Sequence, residues 1–393
     1  MNSAVCRFYA LIGLLVLPLL SVAKPYVPLD GKQVIERLQS RLDPTQRELA
    51  YLRQRLSSAP DNLALAVTLA RRYIDIGRKE ADPRYLGYAQ ACLAPWWGME
   101  RPPTPVALLR ATLLQSTHQF DRALADLDAL LSTDRRNPQA WLSRATVLQV
   151  QGRYPEALAS CTHLHRLSST LIAQACLSAV NSLNGQAARS YQALLQAWGA
   201  DQNQSDDIRS WVLTLLAEMA CRQGDGNAAE IHFQQALAID PGDSYLLGSY
   251  ADFLLDRQRY AEVENLLKDK RRADSLLLRY ALALRARQSP AAVAETEVLR
   301  SRFEAAAMRR DNVHLREQSR FELSLMNRPE LALKLAKENW ALQKEPADTR
   351  VLLEAAIAAH QPAEAREAIG WLRMRLTEDP ILFRLLRTLE AAS

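Results

Sequence analysis

The feature that most constrains this chain is a self-similarity with a period of 34 residues. Pro138, Trp141, Ala145, Leu148, Gly152, Tyr154, Ala157 and Cys161 fall at offsets already set one period earlier by Ala107, Ala111, Leu114, His118, Phe120, Ala123 and Leu127. A second pair of copies runs Leu213, Ala217, Ala220, Gly224, Ala229, Phe233, Ala236 and Pro241, then Leu247, Ala251, Leu254, Gln258, Tyr260, Val263 and Leu267. Each copy holds two stretches of about a dozen residues with apolar positions at helical spacing. Helices that short are unstable alone in water, so they must stack. Ala111, Ala145, Ala217 and Ala251 in the first stretch, with Ala123, Ala157 and Ala229 in the second, mark where paired helices approach most closely. Gly152, Gly185 and Gly224 fall at the turn, where a residue tolerating positive φ ends a helix. Pro138, Pro241, Pro346 and Pro380 are expected where the second helix of a unit stops.

These residues resemble the tetratricopeptide repeat, a helix-turn-helix unit of this period. The resemblance implies an all-α fold: a helical-hairpin solenoid of seven or eight units, winding as a right-handed superhelix and closed by capping helices. Residues 63–95, 171–197, 274–303, 313–344 and 346–376 read as less regular copies. The expected organisation is a signal peptide over 1–23, an N-terminal extension and capping helix over 24–60, and helical repeats over 61–198. A polar connection follows over 199–209, the best hinge candidate, then repeats over 210–376 and a capping helix over 377–393.

The first segment reads as an address. Arg7 precedes an apolar run from Phe8 to Leu20, and Ser21-Val22-Ala23 places small residues where a signal peptidase cuts, after Ala23. The run is too short, and too broken by Pro18, to cross a bilayer. A periplasmic or secreted product with no integral membrane span after cleavage is the expectation. Cleavage removes Cys6 and leaves Cys92, Cys161, Cys176 and Cys221 in a compartment where disulfides persist. Cys161 and Cys176, 15 residues apart, are the candidate bridge; the alternative is four small buried hydrophobes. Lys plus Arg number 49 and Asp plus Glu 44, and no basic run is interleaved with aromatics, which argues against nucleic acid as a partner.

No phosphate-binding glycine loop, metalloprotease motif or nucleophile elbow occurs in the sequence. His163 and His165 lie two apart on a helix and so point to different faces. No catalytic residue, cofactor or metal is expected. The candidate site follows from architecture: in stacked hairpins the first helices line a concave face. The face offset from the packing alanines carries Trp211, Glu218 and Arg222 in one copy, Tyr245, Asp252 and Asp256 in the next, and His314, Glu317 and Phe321 near the end. Ordinary mixed surface residues would show the same pattern. Repeat proteins of this type that clamp chaperone tails use Lys, Asn and Arg in the groove. Leu108 and Thr112, Leu142 and Thr146, and Thr214 and Glu218 occupy those positions here, so the resemblance stops short of that activity.

Two readings are open for Trp96 and Trp97, which adjoin Pro95 and precede Pro102, Pro103 and Pro105. They are an exposed aromatic anchor, or they fold back to plug a gap beside the lengthened turn at 78–83. The function expected is a non-enzymatic periplasmic scaffold that binds an envelope protein along the concave face. The rival is a carbohydrate-binding or polymer-assembly module using Trp96, Trp97, Trp211 and Tyr245.

Overall fold

The computed structural model describes residues 44–309 and 313–391. The signal peptide and most of the N-terminal extension lie outside the described residues. Leu49 begins the compact unit that holds all the hairpins. No strand occurs among the described residues, and the helices follow one another as α1 (Pro44–Ser58) and then a run of hairpins.

The first hairpin is α2 (Leu63–Glu80) with α3 (Arg84–Cys92), followed by the short α4 (Ala94–Trp97). Then come α5 (Thr104–Ser116) with α6 (Phe120–Thr133), α7 (Pro138–Val150) with α8 (Tyr154–Leu164), and α9 (Thr170–Asn181) with α10 (Ala187–Ala200). The middle hairpins are α11 (Asp206–Arg222) with α12 (Gly226–Ile239) and α13 (Ser244–Asp256) with α14 (Tyr260–Leu267). The last are α15 (Asp274–Ala286) with α16 (Ala291–Met308), α17 (Leu315–Ser324) with α18 (Pro329–Leu342), and α19 (Pro346–Ala358) with α20 (Arg366–Arg375). α21 (Pro380–Ala391) closes the run.

One backbone device recurs at every turn. Ala81, His118, Gly152, Gly185, Gly224, Gln258, Gln288, Asn327 and His360 have φ between 47° and 79° and separate the two helices of successive hairpins. A left-handed residue there ends the first helix and satisfies its last carbonyls. Nine such turns make nine hairpins among the described residues, where the sequence suggested seven or eight, because the divergent copies keep the turn and lose the aromatics. Starts are equally local: Asn62, Asn137, Ser169, Asp225 and Asp243 each accept a hydrogen bond from a backbone N–H of the first turn. Pro138, Pro346 and Pro380 occupy the first position of α7, α19 and α21 rather than the last turn of the helix before. A missing N–H costs nothing there.

The packing alanines are interior: Ala111, Ala145, Ala217 and Ala251 are at most 1% exposed. Buried side chains form clusters that hand over from hairpin to hairpin. One of them unites Leu171 and Leu194 with Val212, Leu216 and Phe233, so the core runs without a break past the polar connection before α11. Leu382, Leu386 and Leu389 of α21 close the last cluster.

The later hairpins also touch the earlier ones. Ser244 donates to the Lys79 carbonyl (2.7 Å), Lys79 pairs with Asp240 (3.0 Å), and Arg272 reaches Asp82 (2.8 Å). Further along, the Lys344 N–H donates to the Val150 carbonyl (2.8 Å), and the Ala187 N–H donates to Glu378 (3.2 Å). Trp371 packs against the clusters of both the early and the last hairpins. Arg375 lies over its ring and over that of Tyr154.

Candidate functional site

Because first helices present one face inward, the fold-back brings the inner faces of α11, α13, α15, α17 and α19 around one chamber of about 330 Å³. Glu218, Arg222, Tyr245, Asp252, Asp256 and Glu317, all expected on the concave face, line it. The sequence pattern did not reveal what faces them. Arg279, Arg316 and Glu345 share the chamber, and Arg320 and Arg350 line the adjoining space. They sit on or beside first helices of copies that had lost their signature residues. Their inward offset there was the signal available.

Much of the acidic surface is neutralised from within. Asp252 is held by Arg279 and by Arg320, each at 2.5 Å. Burial alone pushes its carboxyl up, but the two guanidinium groups outweigh it and hold the group well below the usual carboxylate range. Asp256 takes a two-pronged pair from Arg350 (2.7 and 2.9 Å). Arg316 serves three carboxylates at once: Glu317 at 3.2 Å, Asp348 at 3.4 Å and Glu345 at 4.0 Å. One cation cannot balance three anions in a poorly solvated place. Glu345 takes the consequence: burial, then the neighbouring Asp348 carboxylate, push it up to about 7.

The opposite wall is less committed. Glu218 accepts from the Tyr245 hydroxyl (2.8 Å) and from Ser249 (3.0 Å) and has no ion pair among the described residues. Tyr245 is 62% exposed, so water reaches this wall, while the Glu218 charge and the crowding of its hydroxyl raise its ionisation well above the usual phenol range. Arg222 donates to Ser182 (3.0 Å), and its Nε is buried without a hydrogen-bond partner among the described residues.

Other expected residues lie elsewhere. Trp211 is packed against the central core cluster and does not line the chamber. Phe321 is 1% exposed in the core beside Phe303, while Arg316, Glu317 and Arg320 of the same helix line the inner space. His314 lies at the start of α17 in a separate cavity that it shares with Trp97. Trp96 and Trp97 are half-buried against the first hairpin's core, and Trp97 also lines the cavity that holds His314. The Trp97 carbonyl accepts from the buried Arg110 guanidinium (2.7 Å), which also grips Asp126 (2.7 Å). Asp126 thus helps hold the Arg110 guanidinium in place. Cys161 on α8 and Cys176 on α9 are joined as a disulfide with Cα atoms 5.5 Å apart. Among the described residues no group of three or more His, Cys, Asp or Glu is placed to hold a metal ion, and no helix is long and apolar enough to cross a membrane.

No protein-family model matches the chain, and no curated protein matches it by sequence. Solved structures are similar in fold. A tetratricopeptide repeat protein from Parabacteroides merdae aligns over 79% of this chain and 99% of its own, with 13% identity and a TM-score of 0.36. The Cut9-Hcn1 assembly of the APC/C aligns over 79% of this chain at 16% identity and a TM-score of 0.39; the chain spans about half (52%) of that chain's length. Human IFIT1, solved as a dimer with PPP-AAAA, aligns over 85% of this chain and 94% of its own, with 15% identity and a TM-score of 0.43. The chain's own hairpins, period and left-handed turns make it a tetratricopeptide-type helical solenoid.

Proposed function

We propose that this protein is an exported, non-enzymatic adaptor that recognises a segment of an envelope protein at the mouth of the central chamber. The observation that carries the reading is the uncommitted wall. Among the described residues Glu218 and Arg222 have no ion pair, in a chamber where Asp252, Asp256 and Glu317 all have one. Beside them Tyr245 offers an accessible ring of the type that dominates binding hot spots. The Cys161–Cys176 disulfide supports export, since such bonds persist in oxidising compartments. The chamber's thiol, Cys221, is pushed up to about 12 by burial and is not an activated nucleophile.

On this reading the binding surface is this wall and not the whole concave face. Asp252 and Asp256 hold α13 to α17 and α19, so reversing their charge is a test of folding and not of binding. The functional test is crosslinking co-purification from the native host's envelope with wild-type protein and with Glu218→Lys. The expected result is one abundant partner captured by the wild type and lost in the variant, with circular dichroism unchanged. Equal capture by a correctly folded Glu218→Lys protein contradicts the proposal.

A further inference from the structure

A second cavity, of about 560 Å³, lies between α3, α4, the turn from α5 to α6, and the start of α17. Its size falls in the range of small-ligand pockets. Leu86, Gln90, Trp97, His118, His314 and Leu342 are among the residues that line it, and among the described residues the lining includes no Asp, Glu, Lys or Arg. In a chain that is 24% charged, that sets it apart from the ionic chamber. Burial and the Arg316 charge lower the ionisation of His118, so its imidazole is neutral at neutral pH.

The cavity is built, not incidental. Arg110, 8% exposed, fixes α4 by donating to the Trp97 and Met99 carbonyls (2.7 and 2.8 Å) while Asp126 holds its other nitrogens. His118 is in the left-handed turn (φ 55°), its ring stacked on Phe120 with centroids 5.4 Å apart. On α3, Gly87 faces open space, with nothing within 4 Å of where a Cβ would stand. Gln119 is occupied by Thr117 and Arg122, whereas Gln90, Trp97 and His314 make no side-chain hydrogen bond among the described residues.

An indole, two imidazoles and a carboxamide around a cavity whose described lining carries no acidic or lysine/arginine side chain match a ligand with an apolar ring face and many hydroxyls. A charged ligand would find no counter-ion among the described lining residues, and an apolar one would leave the imidazoles unmatched. We propose that this cavity binds a neutral sugar ring, laid on Trp97 and hydrogen-bonded by Gln90, His118 and His314. The site is independent of the chamber, so either assignment can fail alone.

The test uses the full mature protein with maltose, cellobiose and N,N′-diacetylchitobiose as probes, followed by ligand-observed NMR and calorimetry. At least one disaccharide is expected to bind saturably, with the same affinity at low and high salt. Gly87→Phe, which fills open space, is expected to weaken it about tenfold or more with an unchanged melting curve. Gly199→Phe, at another open glycine, leaves it unchanged. Trp97→Phe keeps an aromatic ring and gives an intermediate loss. Failure of all three sugars to bind, binding that survives Gly87→Phe, or binding that falls steeply with salt each overturns the proposal.

Discussion

Gly152 answers to two constraints at once. Its φ is +73°, and a Cβ would stand 2.4 Å from the Trp371 ring, so both its own turn and the fold-back depend on the missing side chain. Gly224 has a similar φ of +79° but would meet only Pro380, at 3.7 Å. Gly224→Ala therefore carries the left-handed strain alone, about 1 kcal/mol, whereas Gly152→Ala adds displacement of Trp371 and is expected to cost about 1–3 kcal/mol more. Denaturant unfolding of the two variants checks this, and equal losses would show that Trp371 does not lean on that turn. Glu345 gives a residue-scale prediction in pH. The folded protein retains its proton to about pH 7, while the unfolded chain releases it near 4.5. Stability therefore falls as pH rises through that interval. Glu345→Gln keeps a hydrogen-bonding side chain and removes the loss, so it is expected to be more stable than wild type at pH 8 and nearly equal at pH 5. The half-buried His118 and the buried His232, whose ionisation burial lowers, tilt both proteins the opposite way and cancel in the difference. Parallel stability curves for the two proteins would place the Glu345 charge in solvent.

Helices and their turns were largely legible, because what fixes them is local. The alanine spacing and Gly152, Gly185 and Gly224 identify hairpins by size and φ alone. Gln288, Asn327 and His360 perform the same turn without glycine, which is why the divergent copies were harder to count. The bridge between α8 and α9 belongs to this scale. Closing a 15-residue loop is worth about 3 kcal/mol, so reductant, or Cys161→Ala with Cys176→Ala, is expected to lower the unfolding midpoint by a corresponding amount. Cys92 and Cys221, whose thiols burial pushes up to about 11 and about 12, remain unreactive controls in the same titration. An unfolding midpoint indifferent to reductant would mean the bridge adds nothing to this hairpin pair.

At the scale of the whole compact unit, the decisive contacts join residues far apart in sequence, and no periodicity announces them. Asp252 looked like a free groove carboxylate because its partner Arg320 lies 68 residues on, in a copy without signature aromatics. The Asp252 position on the inner face of α13 was readable, and its pairing was not. Asp252→Ala leaves Arg279 and Arg320 unpaired and is expected to cost on the order of 3 kcal/mol, while Glu218→Gln, which breaks no ion pair, stays within about 1 kcal/mol of wild type. Comparable losses in thermal unfolding would mean that the two walls of the chamber do not differ. Recognition at the uncommitted wall, and not on the outer surface, is what the proposed function requires. The most direct measurement is site-specific photocrosslinking in the native host, with the photoreactive residue at position 245 in one strain and at position 308, where Met308 is 85% exposed, in another. A discrete adduct from position 245 and none from 308 is the predicted result; adducts from 308 alone, or the same set from both, would contradict it.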